Sequence, residues 1–324
     1  MTETQASLPL TQWRAGPYPF DWDTLLGADG PLHLEIGFGD GRYTARRALD
    51  DPAGRFIAIE LSGVSVRRAL RRMRRERIRN VALLKGEARF MLQHLFAPGS
   101  LETITVNFPD PWPKGRHEEN RLLRSDFFQL AATRTVPDGR VLLATDHPGY
   151  LEFARVEARA SGVFDAYEAE PPAAVFETKY ALKWLGQGKP LFYQPFRRTG
   201  DPGARFDILE RPETMPHSLL LGELPETAEF SKVVLPFEDG HVIVHEAARA
   251  TGDAGRWLFR ATIDEPDLRQ QVLVAIQSRG EGELIVRLES FGDPIVTSVA
   301  RGAVHAVTEW ALAQPGVTLK AKRY

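Results

Sequence analysis

Short apolar runs separated by stretches of helical period fill the first two hundred residues. Leu32 to Ile36 is one such run, closed by glycines, and Arg55 to Glu60 is a second with Phe-Ile-Ala-Ile at its centre. Asn80 to Lys85, Thr103 to Asn107 and Arg140 to Thr145 repeat the form, with Pro137-Asp138-Gly139 as a turn before the last. Runs of this length and composition predict buried strands. Between them Thr44 to Leu49, Ser62 to Arg79 and about 119–135 read as helices. In the second of these, apolar residues at 66, 69, 70 and 73 form one stripe at helical spacing, and arginines cover the other faces as a usable phosphate-binding surface. Strands alternating with helices over short connections predict an α/β fold with a doubly wound, mostly parallel sheet.

The pattern changes at both ends. Residues 1–30 read as an extended arm with aromatic anchors at Trp13, Tyr18, Phe20 and Trp22 rather than as a regular element. Arg198 to Gly203 reads as a linker, which gives a first domain over 1–200 and a second over 205–324. In the second, strands are expected at 231–237, 241–247 and 256–264, then a helix at about 266–279, a strand at 283–290, a helix at 295–313 and a strand at 317–322. That order predicts a small α+β domain.

Composition narrows the class. Hydrophobic residues at 43% and charged residues at 26% are ordinary for a water-soluble chain, and no apolar run approaches a membrane span. The N-terminal residues lack the basic and apolar regions of a signal peptide, so a cytoplasmic protein with no membrane partner is expected. The chain has no cysteine, which excludes disulfides, thiolate zinc sites and cysteine nucleophiles. His241 and His245 are close in sequence, but on a strand they lie about 13 Å apart, so no metal is expected. Net charge is −2; residues 1–204 carry 28 Lys and Arg against 25 Asp and Glu, and 205–324 carry 13 against 18. A polyanionic partner should therefore prefer the first domain.

The chemistry-bearing positions cluster at strand ends. Glu35, Glu60, Glu87, Asp110 and Asp146 fall at or just past the carboxyl ends of five predicted strands, where ligands of open α/β sheets bind. After the first strand, Gly37, Gly39 and Gly41 bring bare backbone to the turn. The third glycine comes one position too early for a dinucleotide fingerprint, and Glu35 disfavours a phosphate there while suiting an amine-bearing ligand. Glu60 is placed to accept two ribose hydroxyls. After the fourth strand, Asn107-Phe-Pro-Asp-Pro-Trp-Pro-Lys114 alternates prolines with an amide, a carboxylate, an indole and an ammonium group. Proline fixes its own φ and biases the preceding residue towards extended backbone, so a stiff arm with base-reading and base-stacking groups is expected.

Leu34-Glu-Ile-Gly-Phe-Gly-Asp-Gly41 followed by Asn107-Phe-Pro-Asp-Pro-Trp-Pro-Lys114 resembles the bacterial tRNA (guanine-N7)-methyltransferase family over roughly residues 30–198. The resemblance implies a Rossmann-like, S-adenosylmethionine-dependent enzyme acting on a variable-loop guanine of tRNA, with residues 205–324 as an added accessory domain. It implies cofactor binding by Glu35, Gly37, Gly39, Glu60, Glu87 and Asp110, with Asp110 also catalytic. It places Lys114, Asp146, Thr178, Lys179 and Tyr180 at the substrate. Two segments depart from the family pattern: Gly115 to Arg121 carries Glu118 and Glu119 where basic residues are usual, and Thr178-Lys179-Tyr180 is followed by Ala181 in place of glutamate.

The chemistry is consistent with such a site. Guanine N7 carries an in-plane lone pair, so methylation needs alignment rather than a base. A carboxylate stabilises the cation that develops on the ring, and it accepts from the guanine N1–H and N2–H edge. Asp110 is the candidate for both, with Trp112 shaping the pocket. Two other readings stand beside this one: an exocyclic-amine methyltransferase, since Asn107-Phe-Pro superficially resembles an Asn-Pro-Pro-aromatic motif, and a non-catalytic RNA-binding protein that keeps the fold.

Overall fold

The computed structural model describes residues 12–27, 30–112, 115–252 and 255–324. The chain divides between Ile208 and Leu209 into two compact units. In the first, apolar runs become strands and the segments between them become helices, in the order α1 (Trp22–Leu26), β1 (Leu32–Ile36), α2 (Arg42–Asp50), β2 (Arg55–Glu60), α3 (Gly63–Arg75), β3 (Val81–Lys85), α4 (Ala88–Leu95), β4 (Leu101–Asn107), α5 (Ser125–Arg134), β5 (Thr135–Thr145), α6 (Pro148–Ser161), β6 (Phe164–Ala166), α7 (Ala173–Phe176), α8 (Lys179–Leu185) and β7 (Phe192–Arg198).

The sheet runs β3-β2-β1-β4-β5-β7-β6. Its first five strands are parallel, and β7 is antiparallel to both neighbours. Strand order reverses between β1 and β4, the point where open sheets of this kind bind ligands. Leu34, Ile57, Ile104, Val106 and Leu143 are buried along the centre, which is why these strands read as continuous apolar runs. With right-handed crossovers, α2 and α3 cover one face and α4 and α5 the other.

Several local expectations change. The N-terminal segment contains the regular element α1, started by Asp21, whose side chain accepts from Thr24 N at 3.0 Å. Its aromatic residues do anchor it: Trp13 Nε1 donates to Lys85 O at 2.9 Å and Trp22 Nε1 to Leu95 O at 3.0 Å. Helix α3 stops at Arg75 because Arg77 turns to φ 56°. Residues 115–120 form a 3-10 turn, so α5 begins only at Ser125. The Pro137-Asp138-Gly139 turn lies within β5 as an irregularity, with Asp138 at φ 61° and the register shifting against β4.

The second unit is an antiparallel sheet ordered β14-β8-β13-β12-β11-β10-β9. Its elements are β8 (His217–Leu221), β9 (Val233–Phe237), β10 (Gly240–Arg249), β11 (Trp257–Glu265), β12 (Leu268–Gly280), β13 (Glu283–Leu288), α9 (Ser298–Leu312) and β14 (Thr318–Arg323). Helix α9 buries Val299, Ala300, Ala303, Val304 and Val307 in a core shared with Val242, Phe259, Val274 and Val286. The expected helix at 266–279 is strand β12. Leu268, Gln270, Val272, Val274 and Ile276 point inward with period two, and hydrogen bonding to β11 and β13 on both sides overrides the helix-forming Arg and Gln residues. Strand β8 is an element that the pattern of apolar runs does not predict.

The expected linker is held to the first unit. Gln129 Oε1 accepts from Gly203 N at 2.9 Å and Ala204 N at 3.2 Å, and Gln93 Nε2 donates to Asp207 O at 2.9 Å. The guanidinium of Arg134, which is 1% exposed, donates to Gln93 O at 2.8 Å and Phe206 O at 2.7 Å. Arg134→Met strands those carbonyls without donors, at about 2–4 kcal/mol. Chemical denaturation of the full chain should register that loss, together with faster proteolytic cleavage within 199–208. Wild-type behaviour in both measurements would show that Arg134 does not fasten the segment.

Candidate active site

The turn from β1 to α2 shows why its glycines are spaced as they are. Gly37, Gly39 and Gly41 have φ of 77°, 57° and 75°, a region that favours glycine. Among the described residues, a Cβ on Gly37 or Gly39 would meet nothing within 4 Å, so these two leave bare backbone at an open edge. A Cβ on Gly41 would come within 2.7 Å of Ala69 Cβ. The third glycine thus serves the packing of α2 on α3, and its early position reflects that contact.

Beneath this turn lies Glu35, 5% exposed. Thr44 Oγ1 donates to one of its oxygens, and Asn107 Nδ2 donates to the other at 3.2 Å. Burial pushes its carboxyl up to about 7, reinforced by the charges of Glu60 and Asp40 and opposed by the two hydrogen bonds. Asn107 Oδ1 is buried beside it and, among the described residues, has no hydrogen-bond partner. Glu60 is half-buried at the end of β2 and accepts from Gly39 N at 3.0 Å and Ser62 N at 2.9 Å. It therefore holds the glycine turn and the start of α3 together, with a lone pair left on each oxygen. Glu87 sits half-buried just before α4. Asp146 follows β5 directly and is half-buried, and Asp110 is exposed three residues beyond β4. The parallel order of β3-β2-β1-β4-β5 puts all five acids along one edge.

The arm after β4 is rigid for a different reason than its prolines alone supply. Phe108 and Trp112, each preceding a proline, have φ of 52° and 42° instead of the expected extended backbone. Tertiary contacts hold them there. Phe108 N donates to Ala144 O at 2.7 Å. Its ring packs on the Tyr43, Ala144, Ala174 and Val175 cluster. Arg121, buried at 7% exposure, donates from Nε to Pro111 O at 3.0 Å and from Nη2 to Trp112 O at 3.2 Å, with its guanidinium 4.7 Å from the Phe153 ring centre. Asp110 and Trp112 are left exposed. Lys114 lies outside the described residues. Nothing in the sequence pattern singles out Arg121.

Helix α8 stands beside this arm, with the Tyr180 and Phe108 ring centres 6.2 Å apart. Thr178 is its N-cap: the buried hydroxyl accepts from Ala181 N at 3.1 Å and donates to Val175 O at 2.9 Å. Its side chain is thus engaged in the helix start, while Lys179 and Tyr180 are exposed. Ala181 is fully buried.

His33, inside the apolar run of β1, carries no signal in the sequence pattern. It lines a cavity of about 240 Å³ on the sheet face, together with Glu35, Tyr43, Arg47, Arg140 and Tyr193. Its Nδ1 lies 2.8 Å from Thr103 Oγ1, its Nε2 is buried with no hydrogen-bond partner among the described residues, and burial pushes the imidazole down to about 4. It is neutral at physiological pH.

A family model described as "Putative methyltransferase" matches residues 29–193. The chain is 41% identical over 292 residues to the tRNA (guanine-N(7)-)-methyltransferase of Thermus thermophilus, covering 90% of this chain and 92% of that one. It is 41% identical over 305 residues to the protein of the same name from Deinococcus radiodurans, covering 91% and 93%. The Thermotoga maritima protein of that name is 31% identical over 301 residues, covering 92% and 94%. These alignments extend beyond the first unit into the second.

The buried carboxyl of Glu35 makes stability depend on pH. Its folded-state value is raised from 4.5 to about 7, so the stability it contributes is full below 4.5 and is lost as pH rises through about 7. Glu35→Gln should remove this dependence and raise stability at pH 8 by on the order of 3 kcal/mol. Urea unfolding of both proteins across pH 5 to 8 tests it. Parallel curves would mean that Glu35 is ionised throughout.

Proposed function

The chain belongs to the tRNA (guanine-N7)-methyltransferase family, and we propose that it transfers the methyl group of S-adenosylmethionine to N7 of a variable-loop guanine in tRNA. One observation carries the assignment of this reaction to particular residues: a bare glycine turn, five carboxylates and the Phe-Pro-Asp-Pro-Trp arm meet at one sheet edge, at the strand-order switch point. The residues there fit the cofactor's chemistry. Open space over Gly37 and Gly39 admits a ligand against backbone. Carboxylates of Glu35, Glu60, Glu87 and Asp110 suit an ammonium group and ribose hydroxyls, and Asn107 Oδ1 is an acceptor with no partner among the described residues. When bound, S-adenosylmethionine supplies an electrophilic methyl group on a sulfonium.

Within that frame the chain's own residues orient the base. N7 has its lone pair in the ring plane and loses no proton, so rate comes from alignment and from charge placement. Asp110, exposed on the clamped arm, accepts from the N1–H and N2–H edge, and its charge opposes the cation that develops on the ring. Asp146 flanks the base, and the family resemblance adds Lys114 as a substrate contact. Lys179 and Tyr180 meet it from α8, positioned by the Thr178 cap. Delivering such a base requires its removal from the tRNA stack, and the exposed Tyr180 ring gives it a new surface. A buried alanine at 181 leaves α8 without the family's glutamate, so Asp110 and Asp146 supply the carboxylates near the guanine. A tRNA substrate implies work in the cytoplasm, and among the described residues no helix is long and apolar enough to cross a membrane.

Incubation with labelled S-adenosylmethionine and unmodified tRNA, followed by borohydride–aniline cleavage, should map the label to a guanine N7. Label recovered at an adenine amine would overturn the assignment. Asp110→Asn should slow transfer by about 10²–10³-fold with an unchanged circular dichroism spectrum. Arg121→Met, which frees the arm, should cost about 10²-fold through misplacement alone. Near-normal turnover in Asp110→Asn would remove that residue from the chemistry.

A further inference from the structure

Helix α3 buries Val66, Ala69 and Met73, with Leu70 half-buried, in one cluster with Phe38, Ala45, Ala58 and Leu83. At about 100° per residue these four positions occupy one side of the helix. Arg67, Arg68, Arg71, Arg74 and Arg75, all exposed, fill the other, and exposed Arg77 and Arg79 continue past its end. Arg67, Arg71 and Arg74 form a single stripe about 10 Å long.

Charge neutralisation on this face is sparse. Arg72 meets Asp40 and Glu76, and Arg75 also meets Glu76. Among the described residues, Arg67, Arg68, Arg71, Arg74, Arg77 and Arg79 make no ion pair. A helix face that merely meets solvent is served by mixed charges, whereas like charges four apart, such as Arg67 and Arg71, destabilise the helix. The helix dipole compensates cations only in the last turn, so it accounts for Arg74 and Arg75 but not for Arg67, Arg68 and Arg71.

The stripe begins at the candidate active site. Helix α3 follows Glu60 within three residues. Arg67 Nη1 and Lys85 Nζ lie 3.8 Å and 4.0 Å from the position of a Cβ on Gly63. Cations therefore start at the β2–β3 rim of the edge that carries the acids. On the other side of that edge, the segment after the arm exposes Glu118 and Glu119.

We infer that the outward face of α3, with Lys85, is the surface on which the tRNA sugar-phosphate backbone docks, in place of the segment following the arm. This presupposes the tRNA substrate but not the chemistry performed on it. Fixed guanidiniums neutralise phosphates and release counterions, so their contribution appears in the salt dependence of binding.

The test is a full-length variant with Arg67, Arg68, Arg71 and Arg74 all changed to Gln, which retains helix propensity. Its tRNA dissociation constant, measured from about 50 to 200 mM salt, should rise by about tenfold or more at the low end, and the log–log salt slope should flatten by about three. S-adenosylmethionine affinity by calorimetry should stay at the wild-type value, which also reports an intact fold. The matching Lys variant should restore most of the slope. Wild-type tRNA affinity and slope in the Gln variant would overturn the proposal. If wild-type protein binds tRNA with a slope that the Gln variant loses, yet forms no N7-methylguanine, the docking surface stands and the methyl-transfer assignment falls.

Discussion

One buried carboxyl joins the three elements that make the candidate active site. Glu35 takes hydrogen bonds from Thr44 on α2 and Asn107 at the end of β4. Those bonds tie the glycine turn to the root of the Phe-Pro-Asp-Pro-Trp arm across the strand-order switch. A buried carboxyl without such partners is expensive, which constrains residues 44 and 107 to donors. Its proton affinity follows from burial, with Glu60 and Asp40 adding to it. The glycine turn and the root of the arm are thereby mechanically one unit.

The arm illustrates how rigidity is divided between local and long-range causes. Its prolines restrict the chain, but two residues preceding prolines hold left-handed φ values that those prolines disfavour. They stay there because Arg121 fixes the carbonyls of Pro111 and Trp112 and because Phe108 is packed under α8. Asp110 is consequently exposed on a fixed segment, the condition under which a carboxylate can be aimed at a base. Thr178 contributes in the same indirect way, by starting the helix that presents Lys179 and Tyr180.

Charge of the two signs is kept on separate parts of the sheet edge. Carboxylates stand at the ends of the parallel strands, from Glu87 after β3 to Asp146 after β5. Guanidiniums accumulate on the outward face of α3, beginning beside the end of β2. The second unit, an antiparallel sheet around α9, carries the acidic balance of the chain and has its own core.

The sequence by itself determined the five parallel strands of the first sheet and the acids at their ends. Each rests on a local regularity: apolar runs report strands buried on both faces, and a residue's place at the end of such a run fixes the edge it occupies. It also contained the glycine turn and the arm, whose residue types carry family resemblance directly. Tertiary structure decided what periodicity does not encode. Residues 268–280 have the composition of a helix end and the alternation of a strand, and only pairing with β11 and β13 selects the strand. The segment 199–208 reads as a linker until Gln93, Gln129 and Arg134 hold its backbone. Glu35 and Asn107 meet across 72 residues of chain, and the raised proton affinity of that acid exists only once both faces of the sheet are covered. Burial and hydrogen bonding between distant residues set these properties, and neither is a property of a short stretch of chain.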